Sequence, residues 1–302
     1  MKNILITGST GFLGRNFKKF VSRKSNFKIY ESNTKKNNLL TKNWDSKLKK
    51  IKFNYIFHFA SFTKPTRENK LFMADIWNTN NQINFEIVNF WIKYQKEAKF
   101  ITFSSSCIYS NDEKKIEKNC FKGDPEKQLF YYGQSKRNLM LSLFTAARQY
   151  NMRYIIYIPT ILYGPNFAYN DKHFIYDIIR KIHIAKKTGD FVYMNGSPEN
   201  RRDLIYIDDV VKIIFNNLNL NNMVINLTNR KHLKISDYTK IISKLINYKS
   251  KNIIFKEEFK DDILIRDLYN TELKKIYNIK NLINYNSGLA KTVNFFYKNY
   301  AK

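Results

Sequence analysis

Apolar positions in the first 160 residues alternate between two periods. The runs "NILIT", "FKIY", "YIFHFA", "KFITFSS" and "RYIIYIP" are short, continuous and rich in β-branched and aromatic residues, as buried strands are. Between them, "RNFKKFVSRK", "DIWNTNNQINFEIVNFWIKYQKEA" and "YYGQSKRNLMLSLFTAARQY" space their apolar residues as amphipathic helices do. The alternation of strands and helices predicts an α/β fold with a parallel, doubly wound sheet covered on both faces.

After "LYGP" the alternation breaks. "FIYDIIRKIHIAKK" is a helix out of turn, and "GDFVYMNGS" and "RRDLIYI" read as short strands. "DDVVKIIFNNL" returns to helix and "MVINL" to strand. "SDYTKIISKLI", with Ser236 as its N-cap, and "GLAKTVNFFYKNY" are late helices. This predicts a main domain over 1–163 plus about 204–226. A smaller α/β lobe follows over about 164–203 plus 227–302, its segments interleaved with the first.

Composition narrows the function classes. With 302 residues, 43% hydrophobic and 16% aromatic, the chain can bury a real core. No apolar run reaches the ~18–20 residues of a membrane span. "MKNILITG" enters a strand pattern directly, without a signal-peptide h-region, so a cytoplasmic location is expected. Two cysteines, Cys107 and Cys120, make neither a disulfide framework nor a metal-ligand pattern. The net charge of +28 comes from lysines scattered along the whole chain. That argues for a site attractive to a doubly anionic small molecule rather than for a nucleic-acid or membrane partner.

Two motifs carry chemistry. Gly8, Gly11 and Gly14 follow a strand and open a helix, where glycine permits a tight turn and backbone N–H groups can meet a pyrophosphate. Tyr132 and Lys136 lie four apart, on one face of a predicted helix. An ammonium beside a phenol favours the phenolate, and such a tyrosine can exchange a proton with a carbonyl or hydroxyl oxygen. Ser105 sits upstream at the end of a predicted strand.

The order of glycine turn, "HFAS", serine-tipped strand, Tyr-x-x-x-Lys, "PTILYGP" and "RRDLIYIDDVV" resembles the extended short-chain dehydrogenase/reductase family over essentially the whole chain. The resemblance implies a Rossmann-type NAD(P)-binding domain and a C-terminal lobe for a nucleotide sugar. It also implies a catalytic triad of Ser105, Tyr132 and Lys136. Its cofactor contacts map to Gly8, Thr10, Gly11, Phe12, Leu13, Gly14, Ser32, Ala60, Ser104, Tyr132, Lys136, Pro159, Ile161 and Leu162.

"SSSCIYS" and "PTILYGPNF", then "GSPENRRDLIYIDD", are similar to the GDP-L-fucose synthase subfamily, which epimerises and reduces GDP-4-keto-6-deoxymannose. That likeness assigns Cys107 and His173 to the epimerisation. A 4-keto group acidifies the flanking C–H bonds, and thiolate and imidazole titrate near enough to neutrality to take and return a proton. It assigns Arg180, Lys181, Arg202 and Asp262 to the substrate. His58 maps to a structural histidine. Ile161 and Asn195 stand where the subfamily has asparagine and tryptophan, which bears on the choice of sugar.

The leading expectation is an NADPH-dependent GDP-ketosugar epimerase/reductase, a homodimer through its two long helices. Glu31 suits a free ribose 2′-OH, whereas Ser32, Lys35 and Lys36 suit a 2′-phosphate, so NADP(H) is expected and NAD(H) is the alternative. The alternative function is a C4 reductase or 4-epimerase of a related GDP- or CDP-deoxysugar or heptose, with Cys107 and His173 idle.

Overall fold

Residues 1–256 and 267–301 are described by the computed structural model of the chain. The five apolar runs form strands β1 (Lys2–Thr7), β2 (Phe27–Ser32), β3 (Tyr55–His58), β4 (Lys99–Phe103) and β5 (Tyr154–Pro159). A sixth strand, Met223–Leu227, pairs with β5. The sheet order is Met223–Leu227, β5, β4, β3, β1, β2, and every pairing is parallel. Strand β4 is buried at all five positions, the consequence of a central strand covered on both faces. This is a Rossmann-like α/β fold.

The helices follow the same pattern: α1 (Phe12–Val21), α2 (Met73–Tyr94) and α3 (Phe130–Tyr150). From β1 the chain passes to β2 on one side and then returns to β3 on the other. Neighbouring connections that diverge in this way open a crevice at the carboxyl ends of the strands. Gly8 and Ala60 meet there: Gly8 has φ +65°, and a Cβ on it would lie 2.6 Å from the Ala60 nitrogen. Gly14 is as constrained from the helix side, because its Cβ would fall 2.2 Å from the Gly8 carbonyl oxygen.

Two compact units emerge. The first comprises Met1–Pro159, Val211–Leu227 and Tyr269–Tyr277; the second comprises Thr160–Val210, Thr228–Leu268 and Asn278–Lys302. Residues 269–277, grouped with the second lobe by the sequence pattern, belong with the first unit because of a buried polar knot. Asn226 donates to the carbonyls of Lys115 and Tyr269 and accepts from the Tyr109 hydroxyl at 2.8 Å.

The second unit is built around α4 (Phe174–Thr188) and the helices Ile235–Ile246 and Tyr285–Tyr300. Three two-stranded pairings accompany them: Ile161–Tyr163 with Leu204–Tyr206, Val192–Asn195 with Ile253–Lys256, and Arg201–Arg202 with Leu233–Lys234. Ile178, Ile182, Tyr238, Leu289 and Phe296 fill its core. Ser236 is not the N-cap that the sequence suggests. The helix starts at Ile235, with Asp237 accepting from the backbone N–H of Lys234, so the preference for a serine cap yields to a carboxylate reaching back. No helix among the described residues is long and apolar enough to cross a membrane.

The glycine turn yields a stability prediction. Gly14→Ala forces backbone against backbone and lowers unfolding stability by roughly 1–3 kcal/mol. Gly11→Ala, at the N-cap of α1 with ordinary φ and a Cβ that meets only the Gly8 carbonyl at 3.2 Å, costs less, about 0.5–1 kcal/mol. Urea midpoints of the two variants check the contrast, which equal losses contradict.

Candidate active site

Strand β4 ends at Phe103, and a short 3-10 turn, Ser106–Ile108, follows. Ser105 caps that turn, its hydroxyl accepting from the Cys107 backbone N–H at 3.5 Å. The turn thereby folds the Cys107 side chain back, so its thiol donates to the same Ser105 oxygen at 3.2 Å. Cys107 is buried, 1% exposed. Ser104, one residue earlier, has a buried hydroxyl with no partner among the described residues.

Helix α3 presses its first turn against this segment. Gly133 makes the approach possible, since a Cβ there would meet the Cys107 carbonyl oxygen at 2.9 Å and Pro125 at 2.8 Å. Tyr132, Gly133 and Lys136 thus arrive together beside Ser105 and Cys107. The Lys136 ammonium donates to the Phe103 carbonyl at 3.2 Å and lies 5.5 Å from the centre of the Tyr132 ring. Burial brings Lys136 down from an ordinary 10.5 to about 8, with Cys107 pulling the other way.

Tyr132 departs from the sequence expectation. Burial, and then the neighbouring Cys107, raise its pKa, and a hydrogen bond with Ser61 only partly opposes them. The desolvation of the phenolate outweighs the nearby ammonium. At neutral pH the phenol therefore keeps its proton, as a general acid must.

The supporting residues were not legible as site residues. Ser61 donates to Asn80 of α2 at 2.9 Å, and Asn80 also accepts from the Phe62 N–H at 2.8 Å, fixing the loop after β3. One helical turn on, Asn84 is bonded to the His58 ring at 3.2 Å and donates to the Ser135 carbonyl at 3.2 Å. His58 is bonded to Thr7 through its other nitrogen at 2.7 Å. Burial, with Lys136, lowers His58 to about 3, so it is a neutral structural link between β1, β3 and α2. Paired buried asparagines four apart on an amphipathic helix were the available signal.

The glycine turn has the form of a dinucleotide cradle. Gly8 and Gly14 leave space that no side chain can take, and α1 begins at Gly11 with no side-chain cap on its N–H groups. Gly8, Thr10, Gly11, Phe12, Leu13 and Gly14 line the turn, and Ala60 closes it from β3. An NAD(P) pyrophosphate fits these donors. Pro159 ends β5 in this unit, whereas Ile161 and Leu162 begin the first strand of the second unit. Ser32 is turned inward, its hydroxyl donating to the Asn37 carbonyl at 2.7 Å. Glu31 is paired with Lys18 at 3.0 Å.

In the second unit His173 is the N-cap of α4 and presents an exposed imidazole. Arg180 donates to the Tyr169 carbonyl at 2.5 Å and to the Asp171 carbonyl, and lies 3.5 Å from the Asp177 carboxylate. Lys181 pairs with Asp177 at 3.1 Å and donates to the Tyr193 carbonyl. Arg202 is buried and donates to the Arg201 carbonyl at 2.8 Å. Asp262 lies outside the described residues.

This parallel sheet, glycine turn and half-buried serine and tyrosine beside a buried lysine define a dinucleotide-dependent enzyme of the short-chain reductase type. The chain belongs to the NAD dependent epimerase/dehydratase family, whose model matches residues 4–227. It is 27% identical to the GDP-L-colitose synthase of Yersinia pseudotuberculosis over 97% of each chain. Its structure resembles that of a GDP-L-fucose synthetase from Naegleria fowleri bound to NADP (TM-score 0.88, 22% identity, 100% of this chain and 94% of that one). It also resembles a GDP-6-OMe-4-keto-L-xylo-heptose reductase from C. jejuni (TM-score 0.87, 16% identity, 98% of each chain). These structural likenesses establish the fold.

The buried ammonium predicts a pH-dependent stability. Between about pH 8 and about pH 10 the unfolded chain holds a proton on Lys136 that the folded chain has lost, so folding stability from this group rises with pH. Above about pH 10 unfolded tyrosines ionise while buried ones such as Tyr132 do not, which reverses the trend. Wild type therefore gains on Lys136→Met by on the order of 2–3 kcal/mol between pH 7 and pH 10. Urea unfolding of both proteins across this range checks it, and parallel profiles contradict it.

Proposed function

We propose that the chain is an NADPH-dependent epimerase/reductase of a GDP-4-keto-6-deoxysugar. The observation that carries the reading is the position of the Cys107 thiol, 3.2 Å from the Ser105 hydroxyl and coupled electrostatically to both Tyr132 and Lys136. A cysteine serving only as filler has no need of that place. The names of the relatives and structural neighbours point to GDP-sugars and to 4-keto substrates.

A bound NADPH supplies the hydride for the ketone carbon. Ser105 donates to the C4 oxygen and Tyr132 delivers its phenolic proton there, so that a ketone, a hydride and a proton become an alcohol. Lys136, charged below about pH 8, stabilises the phenolate that remains. Before reduction, Cys107 as thiolate takes the proton from a carbon flanking C4, which the ketone has acidified. His173 is assigned the return of a proton to that carbon. Arg202, Lys181 and Arg180 are assigned to the nucleotide diphosphate and sugar, and Asp262 to the nucleotide base or ribose. For the cofactor, Lys18 neutralises Glu31 and Lys36 acts on the same carboxylate, which reduces its repulsion of a 2′-phosphate and favours NADPH.

The two activities separate by mutation. Tyr132→Phe cuts reduction by ~10²–10⁴-fold with the fold intact. In deuterated water the wild type places deuterium on carbons flanking C4, and Cys107→Ser loses most of it while still reducing the ketone. Mass spectrometry and product stereochemistry read the outcome. Reduction of a good substrate by wild type with no deuterium at C3 or C5 leaves a plain C4 reductase.

The assembly expected is a homodimer through α2 and α3. Phe85 and Leu141 are exposed at 64% and 53%, beside a groove of about 630 Å³ that Trp77 and Leu139 also line. A second copy presenting the same helices covers both side chains. Light scattering of wild type at micromolar concentration is expected to give twice the chain mass, and the double variant Phe85→Asp, Leu141→Asp the single mass. A monomeric wild type contradicts the assembly.

A further inference from the structure

The mechanism above leaves Asp171 unused, yet it is the residue most closely tied to His173. One carboxylate oxygen lies 2.5 Å from the imidazole Nδ1 and 3.0 Å from the His173 backbone N–H. The Asp171 side chain is 14% exposed, whereas that of His173 is 66% exposed. One partner is therefore anchored and the other is presented. The anchoring is done by Arg180, which clamps the carbonyls of Tyr169 and Asp171 from about two helical turns into α4.

We propose that Asp171 is the positioning residue for His173, holding Nδ1–H so that Nε2 faces outward as the proton-exchanging atom. The proposal rests on the reading of His173 as an acid/base group. It explains why a helix N-terminus can carry a basic imidazole at all. The positive end of α4 disfavours an imidazolium at the cap. The Asp171 carboxylate overrides it, and the net effect on His173 is an upward shift caused chiefly by this hydrogen bond.

Asp177, the acidic residue in the first turn of α4, is paired with Arg180 and Lys181. Tyr176 presents a ring edge 6.5 Å from the imidazole. Burial works against the Asp171 carboxylate, but its hydrogen bonds with His173, and then the charge of Arg180, outweigh it and lower the pKa, keeping the carboxylate ionised. A tautomer fixed at Nδ1 by an ionised carboxylate is the arrangement that makes the far nitrogen a competent base.

The test uses the full chain. Asp171→Asn keeps an oxygen acceptor for the His173 backbone N–H and removes the charge; Asp171→Glu keeps the charge. The four histidines are followed by NMR as a function of pH, with His173→Gln assigning the His173 signal. In wild type His173 titrates above the free imidazole value. In Asp171→Asn its midpoint moves down, and in Asp171→Glu it returns part of the way. Solvent deuterium incorporation in Asp171→Asn falls roughly 10- to 100-fold, with its pH profile moved in the same direction.

Incorporation that survives His173→Gln overturns the assignment of His173 itself. Incorporation that needs His173 but is untouched in rate and pH profile by Asp171→Asn, with an unmoved His173 titration, overturns the role of Asp171. A lowered melting temperature in Asp171→Asn with the titration unmoved marks a merely structural loop residue and likewise overturns it.

Discussion

The arrangement in the first unit hangs on one buried ammonium. Lys136 is 5% exposed, and carrying charge there costs on the order of 3 kcal/mol against water. A charge in that position needs partners on every side, and the fold supplies them from segments far apart in sequence. The Phe103 carbonyl at the end of β4 accepts from it. The face of the Tyr132 ring lies across from it, and Cys107 favours its charged form. Once α3 is held against β4 in this way, Tyr132 must stand beside Ser105. Gly133 must then be glycine, because the same approach brings α3 within a side chain's width of Cys107. The reactive groups are close together because Gly133 lets the start of α3 pack against the segment after β4, and the contacts made there offset part of the cost of burying the ammonium.

Residues that act through local spacing were legible in the sequence. The glycine turn, the four-residue step from Tyr132 to Lys136 and the serine at a strand end all follow from periodicities of one element. The strand and helix alternation gave the parallel sheet for the same reason. Residues that act across the fold were not legible. Asn84 serves His58 from 26 positions away and Ser135 from 51, and its four-residue step from Asn80 marks a buried polar position without naming either partner. The loop contacts of Arg180 were not legible either, because its partners are the backbone carbonyls of Tyr169 and Asp171, and carbonyls have no sequence signature. The bond from the Ser32 hydroxyl to the carbonyl of Asn37 is of the same kind.

The pKa of Tyr132 shows how proximity in sequence can give the wrong sign. Spacing correctly places an ammonium near the phenol. It says nothing of how much water is removed from both, and burial dominates the outcome. The same burial pushes lysine down and tyrosine up, so the two values are driven apart from a nearly common origin. At neutrality the result is a charged lysine beside a protonated phenol. That is the state needed to give a proton to a ketone oxygen, and the transfer becomes easier as negative charge develops on that oxygen.

The second unit solves the opposite problem by the opposite means. His173 is largely exposed, at a helix end that works against its protonation, and the partial desolvation of its ring works the same way. A carboxylate fixed by hydrogen bonds is the remaining device, and Asp171 is fixed because Arg180 has given up its own solvent contacts to hold the loop. The distinction between tuning by desolvation and tuning by a held countercharge decides how each group responds to substitution. A desolvated group keeps its shift when any single neighbour is replaced, because many atoms exclude the water. A group tuned by one countercharge loses its shift with that charge. The reductive cluster is thus a property of the core of its unit, whereas the basicity of His173 rests on one oxygen atom two residues away.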